Sequence, residues 1–215
     1  MVDCLYSDSY ASTYFLYNEK KDALIIDPGS NKNNRLINHI SKLGLSIKAI
    51  LITHGHYDHI EALKDICNAF KGAKVYISED EVDFLREPRY NLSFFGLNEG
   101  HKPIEFVPKN LITLSDNETF EECGFSIQMI KTPFHTKGSA CYYIAKEKIL
   151  FSGDTLFKSS IGRSDLPTGS VRQIDESLLK LVKLEDDIKV YPGHGDITSM
   201  GREKKYNMYL NKLSK

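Results

Sequence analysis

The sequence predicts an α/β protein with sheets in the middle and helices outside, and three observations carry that expectation. Strand and helix patterns alternate through the first half of the chain. Ile47 to Thr53 is a continuous apolar run of strand length, suited to a sheet buried on both faces. From Phe125 onward strand patterns return, and helical spacing follows them.

Each element has its own signal. Thr13 to Tyr17 and Ala23 to Asp27 read as strands joined by the polar turn Asn18 to Asp22, with Pro28-Gly29 ending the second. Asn33 to Leu43 places Leu36, Ile37, Ile40 and Leu43 at helical intervals, and Gly44 stops it. Asp58 to Phe70 reads as a helix with Ile60, Leu63, Ile66, Cys67 and Phe70 on one side, followed by a strand at Lys74 to Ile77. Glu79 to Leu85 fits a short helix. Arg89 to Pro108, with Asn91, Phe94, Phe95 and Gly96, has no regular period, and loops of that length are often functional. Strands are then expected at Phe125 to Lys131, Ala140 to Ala145 and Lys148 to Ser152. A helix at Val171 to Val182, a strand at Ile188 to Tyr191 and an amphipathic helix at Arg202 to Leu213 complete the chain. No repeat, low-complexity tract or linker interrupts it, so a single domain over residues 1–215 is expected.

Composition narrows the function classes. A hydrophobic fraction of 41% and a charged fraction of 27% describe a globular protein. The net charge of −1 offers no basic field for nucleic acid or anionic lipid. No apolar run approaches a bilayer span, and Met1-Val2-Asp3-Cys4 lacks the basic start of a signal peptide. Cys4, Cys67, Cys123 and Cys141 lie far apart with no Cys-x-x-Cys pair, so free thiols and a cytoplasmic setting are expected. Cys67 and Cys141 sit in apolar patterns, as small buried hydrophobes do.

The chemistry concentrates in Thr53-His54-Gly55-His56-Tyr57-Asp58-His59, between the buried strand and the next helix. Junctions of this kind at the carboxyl edge of a sheet are where open α/β proteins place ligands. In an extended turn His54 and His56 point to the same side and can grip one ion, while Asp58 and His59 project from the opposite wall and suit a second. Imidazole with carboxylate suits zinc, iron or manganese far better than calcium or magnesium. A solvated polar loop is the bland alternative. Against it, three of the chain's seven histidines fall here, and burying them without a metal leaves ring nitrogens needing partners. His135 after Lys131-Thr132-Pro133-Phe134, Asp154 after Leu150-Phe151-Ser152-Gly153, and His194 after Tyr191-Pro192-Gly193 repeat one device, a strand delivering a ligand at its end. His39 and His101 read as ordinary residues.

These motifs resemble the metallo-β-lactamase superfamily, and within it the small glyoxalase II-like (hydroxyacylglutathione hydrolase-like) enzymes. The resemblance runs from about Thr13 to Lys212. It is carried by Asp27-Pro28-Gly29, the Thr53 to His59 motif, Thr132-Pro133-Phe134-His135-Thr136-Lys137-Gly138-Ser139, Phe151-Ser152-Gly153-Asp154-Thr155-Leu156-Phe157 and Tyr191-Pro192-Gly193-His194-Gly195. It implies an αββα four-layer sandwich with the site at one edge. It further implies His54, His56 and His135 on one metal, Asp58, His59 and His194 on another, and Asp154 between them. Asp27 is implied to orient the ligand loop, although a turn residue ahead of Pro28-Gly29 explains it equally well.

The implied cofactors are two divalent ions, zinc first, with iron or manganese also suited. The implied activity is hydrolysis by a metal-activated water of a small-molecule thioester such as a hydroxyacylglutathione, with Asp58 orienting or accepting a proton. Two departures bear on the substrate: about twenty residues follow the His194 strand, too few for the glutathione-binding helical domain of full-length glyoxalase II, and Phe134 stands where the family usually has glycine. An aromatic there is expected to narrow or reshape the entrance. The competing readings are a mononuclear Fe(II) enzyme resembling persulfide dioxygenases, using His54, His135 and Asp154, and a non-enzymatic metal-binding module. The module is opposed by a ligand set that contains no cysteine and leaves coordination open. A β-lactamase is disfavoured by the Asp154 to Phe157 pattern and the absence of an export signal. Arg163, Tyr57, Asn91 and Phe95 are candidate substrate contacts, with a surface salt bridge the alternative for Arg163 and core packing for the aromatics.

Overall fold

A computed structural model describes residues 1–6, 10–95 and 102–214, so Gly96 and His101 lie outside the described residues. The chain divides into two compact units, Met1–Leu114 with Glu121–Phe125, and Ser115–Phe120 with Ser126–Lys215. No helix among the described residues is long and apolar enough to cross a membrane.

The first unit is built on a six-stranded mixed sheet in the order β1 (Val2–Leu5), β2 (Thr13–Tyr17), β3 (Asp22–Ile26), β4 (Ser46–Leu51), β5 (Lys74–Ser78), β6 (Leu111–Leu114). The first three strands pair antiparallel and the rest parallel. The short turn dictates the first arrangement: Asn18 Oδ1 accepts from the backbone N–H of Lys20 and Asp22, and Lys21 takes a left-handed φ of 65°. Parallel neighbours need a long crossover. Helix α1 (Arg35–Leu43) supplies one, and α2 (Tyr57–Ile60) with α3 (Leu63–Ala69) another. Leu36, Ile40, Ile60, Leu63 and Ile66 from these helices pack with Phe15, Ile25, Ile47, Ile50 and Val75 of the sheet. Between Ala23 and Leu24 the β3–β4 register slips, so that Ala23 pairs with Ile47 but Leu24 pairs with Ala49. Lys48 is the extra residue of this bulge, and it lets Ile47, Ile50 and Ile52 share the helix-covered core.

The second unit has a mixed sheet in the order β14 (Thr198–Ser199), β13 (Lys189–Pro192), β10 (Ile149–Gly153), β9 (Ala140–Ile144), β8 (Phe125–Lys131), β7 (Thr119–Glu122). β10 pairs parallel with β13, while β13 with β14, β10 with β9 and β9 with β8 pair antiparallel. Helices α4 (Ile174–Val182), α5 (Met200–Tyr206) and α6 (Met208–Asn211) contribute Leu178, Leu181, Met200 and Leu210 to a core with Cys141, Leu150 and Val190. A small hairpin, β11 (Leu156–Phe157) and β12 (Ser160–Ile161), follows β10. All four cysteines are free; Cys141 is buried and Cys67 partly so.

Several expected elements are corrected. The helix expected from Asn33 begins at Arg35, because Asn33 and Asn34 take left-handed φ of 56° and 58°. The helix expected from Asp58 to Phe70 is two pieces. In a continuous helix Ala62 N–H would donate to Asp58 O; instead it donates to Pro28 O (3.0 Å), and Asp58 O accepts from Ala11 N–H (3.2 Å). Val171–Gln173 is a 3₁₀ turn ahead of α4. The last helix breaks at Asn207, which is extended (φ −80°, ψ 118°) and caps α6 by accepting from Tyr209 N–H. Strands β1, β6 and β7 lie in segments too short or too polar to show a period.

Candidate metal-ligand sets

In the first unit the site is built outward from Asp27. This residue leaves β3 with a left-handed φ of 51°, a region that short polar side chains tolerate, and it is almost fully buried. Its Oδ1 accepts from Thr53 N–H (2.8 Å), and its Oδ2 accepts from both Thr53 Oγ1 (2.6 Å) and His59 Nδ1 (2.8 Å). A hydroxyl has one proton, and Thr53 gives it to the carboxylate. Its oxygen therefore accepts from His54 Nδ1 at 3.2 Å. One buried carboxylate thus sets the tautomer of two histidines, His59 directly and His54 through Thr53, leaving the Nε2 of each as the Lewis base.

His54 Nε2 lies 3.1 Å from His56 Nδ1, with the rings edge to face. Two nitrogens on one tetrahedral zinc, each about 2.0–2.1 Å from it, stand roughly 3.3 Å apart. The pair has the spacing of shared ligands. His54 and His59 rings are 4.0 Å apart, and Asp58 Oδ2 stands 3.8 Å from His59 Nε2. The donor set is imidazole and carboxylate, with ligand atoms of His54–His56, His54–His59 and Asp58–His59 each within 4.8 Å of one another, so it fits a borderline divalent ion.

Gly55 sits between the two histidines. Its N–H donates to Glu81 Oε2 at 2.7 Å, and a Cβ in its place would lie 2.3 Å from Phe84 Cβ. Glu81 is fully buried. Sequence reasoning missed it, because Glu79, Asp80, Glu81 and Asp83 form one acidic stretch and nothing in the letters says which member turns inward.

In the second unit three strand ends deliver His135, Asp154 and His194. His135 Nδ1 donates to the carbonyl of Arg163 (2.8 Å), which leaves Nε2 facing Asp154 Oδ2 at 3.5 Å. The other carboxylate oxygen, Oδ1, stands 3.7 Å from His194 Nε2. Gly162 makes this possible: a Cβ there would lie 1.9 Å from Asp154 O and 3.2 Å from His135 Nδ1. Downstream order comes from Glu203, fully buried, which accepts from Ser159 N–H (2.7 Å) and Thr198 Oγ1 (2.6 Å).

The expected substrate contacts fall differently. Asn91 is fully buried, its amide donating to Phe84 O (2.7 Å) and Ile104 O (2.9 Å); it ties its own loop together, which corrects its expected place on a cleft wall. Arg163 makes a bidentate ion pair with Asp165 on the surface (2.6 and 2.7 Å), and its backbone rather than its guanidinium reaches the ligand set. Phe95 is exposed and stacks edge to face on Phe94. Tyr57 is half-buried and meets Tyr10 edge to face. The effect expected of Phe134 is also corrected. Its ring is fully buried in the core with Leu150, Leu178 and Leu181, held there by the turn that follows β8.

Comparison with known proteins agrees with this geometry. The family profile described as the Metallo-beta-lactamase superfamily matches residues 7–194. The hydroxyacylglutathione hydrolase GloC of Haemophilus influenzae is 35% identical over 201 residues, covering 93% of this chain and 92% of that protein. Among solved structures, the BLEG-1 B3 metallo-beta-lactamase superposes with a TM-score of 0.87 at 34% identity, covering 98% and 99% of the two chains. TTHA1623, solved in a di-iron-bound form, gives 0.81 at 26% identity, covering 98% and 100%. With two mixed sheets flanked by helices and a histidine-rich ligand set, the chain belongs to the metallo-β-lactamase superfamily, as a metal-dependent hydrolase.

Proposed function

We propose that the two ligand sets form one dinuclear centre and that the protein hydrolyses a thioester of the hydroxyacylglutathione type. In this reading His54, His56 and His135 would hold one ion, Asp58, His59 and His194 would hold the second, and Asp154 would serve both. The observation that carries it is the carboxylate of Asp154, whose two oxygens each face a different histidine, at 3.5 Å and 3.7 Å. A carboxylate with one imidazole per oxygen is laid out for two cations. The relative GloC supports the substrate class, and zinc is the ion the donor set favours.

When bound, such an ion pair lowers the pKa of a shared water towards about 7 and polarises the substrate carbonyl. The chain's own groups do the rest. Asp27, Thr53 and the Arg163 carbonyl hold the imidazoles of His59, His54 and His135 with Nε2 forward. Asp58, partly exposed beside His59, orients the attacking water and takes its proton. The thiolate leaves without needing an acid. Turnover of a glutathione thioester by zinc-loaded protein tests the reading, set beside a cephalosporin and beside oxygen uptake with glutathione persulfide. Thioester turnover that disappears in His56→Ala is expected. Faster cephalosporin cleavage, or oxygen uptake without hydrolysis, would overturn it.

A further inference from the structure

We propose that the buried carboxylate of Glu81 is a positioning residue for metal binding, fixing the spacing of His54 and His56 by anchoring the peptide between them. The inference rests on the reading of these two histidines as ligands of one ion, and not on the thioester. Asp27 reaches His59 directly and His54 through Thr53. A second set of contacts acts on the backbone of the same loop. The peptide N–H that follows His54 belongs to Gly55 and donates to Glu81 Oε2 at 2.7 Å. The one that follows His56 belongs to Tyr57 and donates to the Asn91 carbonyl at 2.8 Å. Both acceptors lie in one stretch, residues 79–91, and the Asn91 amide braces it by donating to Phe84 O and Ile104 O.

Between the two anchors His56 is extended (φ −67°, ψ 148°) and caps α2, and its ring lies 6.0 Å from that of Phe84. Gly55 presses on Phe84 so closely that a side chain of any size would force them apart. The outcome is the 3.1 Å separation of His54 Nε2 and His56 Nδ1. A buried peptide N–H needs an acceptor, and a carbonyl suffices for Tyr57. At Gly55 the acceptor is instead a carboxylate with no exposed surface. Burying that charge is costly unless hydrogen bonds and opposite charge offset it. A cation shared by His54 and His56 adds to the offset, so the ion and the Glu81 charge stabilise one another.

Zinc affinity of the full chain, measured by competition with a chromogenic chelator, and the visible spectrum of the cobalt(II)-loaded protein read this role without turnover. Glu81→Gln keeps the volume but sets a neutral acceptor against Gly55, and its zinc affinity is expected to fall about tenfold. Glu81→Ala is expected to lose up to about 100-fold, the upper range for hydrogen-bond partners that orient ligands. The cobalt spectrum, which reports ligand geometry, should change in both. Urea unfolding of the metal-free proteins separates positioning from support of the fold. A carboxylate that only supports the fold lowers the unfolding midpoint and leaves affinity and spectrum as in the wild type, and that result would overturn the proposal. Should Glu81→Ala not fold, Glu81→Gln decides alone. Failure of the ligand reading is distinguishable. Wild-type zinc affinity in His56→Ala removes that reading and this inference with it. Zinc lost in His56→Ala but held normally by Glu81→Gln removes the role of Glu81 alone.

Discussion

Asp27 Oδ2 accepts from His59 Nδ1 at 2.8 Å across 32 residues of sequence, and neither group is more than marginally exposed. The same oxygen holds the Thr53 hydroxyl. Replacing Asp27 by Asn keeps the shape but puts a donor or a neutral acceptor where two donors converge. Metal affinity is expected to fall about 10- to 100-fold. Competition of the variant with a chromogenic chelator measures it, and unaltered affinity would show that the carboxylate only shapes a turn.

Phe134 belongs to packing and not to the entrance. Phe134→Ala should cost about 3–5 kcal/mol of stability, as truncation of a buried aromatic does. Phe134→Leu, which keeps most of the volume, should recover most of it. Urea unfolding gives both values, and kcat/KM measured on the folded fraction should hardly move. A variant of normal stability with altered substrate preference would place the ring at the entrance after all.

Glu203 ties the β12 hairpin to α5. Burial pushes its pKa up, but hydrogen bonds from Thr198, the Ser159 N–H, Arg202 and Asn207 outweigh burial and hold the carboxyl below its usual range. A folded-state pKa below the unfolded one means stability that is fully present above the ordinary carboxylate range and lost as pH falls through the folded value. Glu203→Gln should therefore cost about 1–3 kcal/mol near neutrality and progressively less in acid. Denaturation curves of both proteins against pH check the sign; a gap that widens on acidification would refute it.

The clustering of His54, His56, Asp58 and His59 was legible because they are neighbours in sequence. The strand-end placement of His135, Asp154 and His194 was legible because each follows a strand pattern. What supports them was not. Asp27 reaches Thr53 only because β3 and β4 lie side by side, a pairing made by a crossover helix and not by any local pattern. Glu81 is one acid in a run of similar ones, and only packing against Phe84 and Gly55 selects it. The break at Ala62 was hidden because its apolar spacing is helical on both sides, and a competing carbonyl, Pro28 O, decides the matter. Tertiary hydrogen bonds outbid local periodicity there.

The bulge at Lys48 has a consequence for chemistry far up the strand. Side chains along an extended chain alternate, so one surplus residue inverts the parity of everything after it. Without Lys48, a strand kept in register from Ala49 to Leu51 would turn Ile47 away from the core, and one that kept Ile47 inward would turn the Thr53 hydroxyl away from its carboxylate. Lys48, whose own side chain reaches back to Asp22, is thereby the counter that lets one strand serve both the core and the loop.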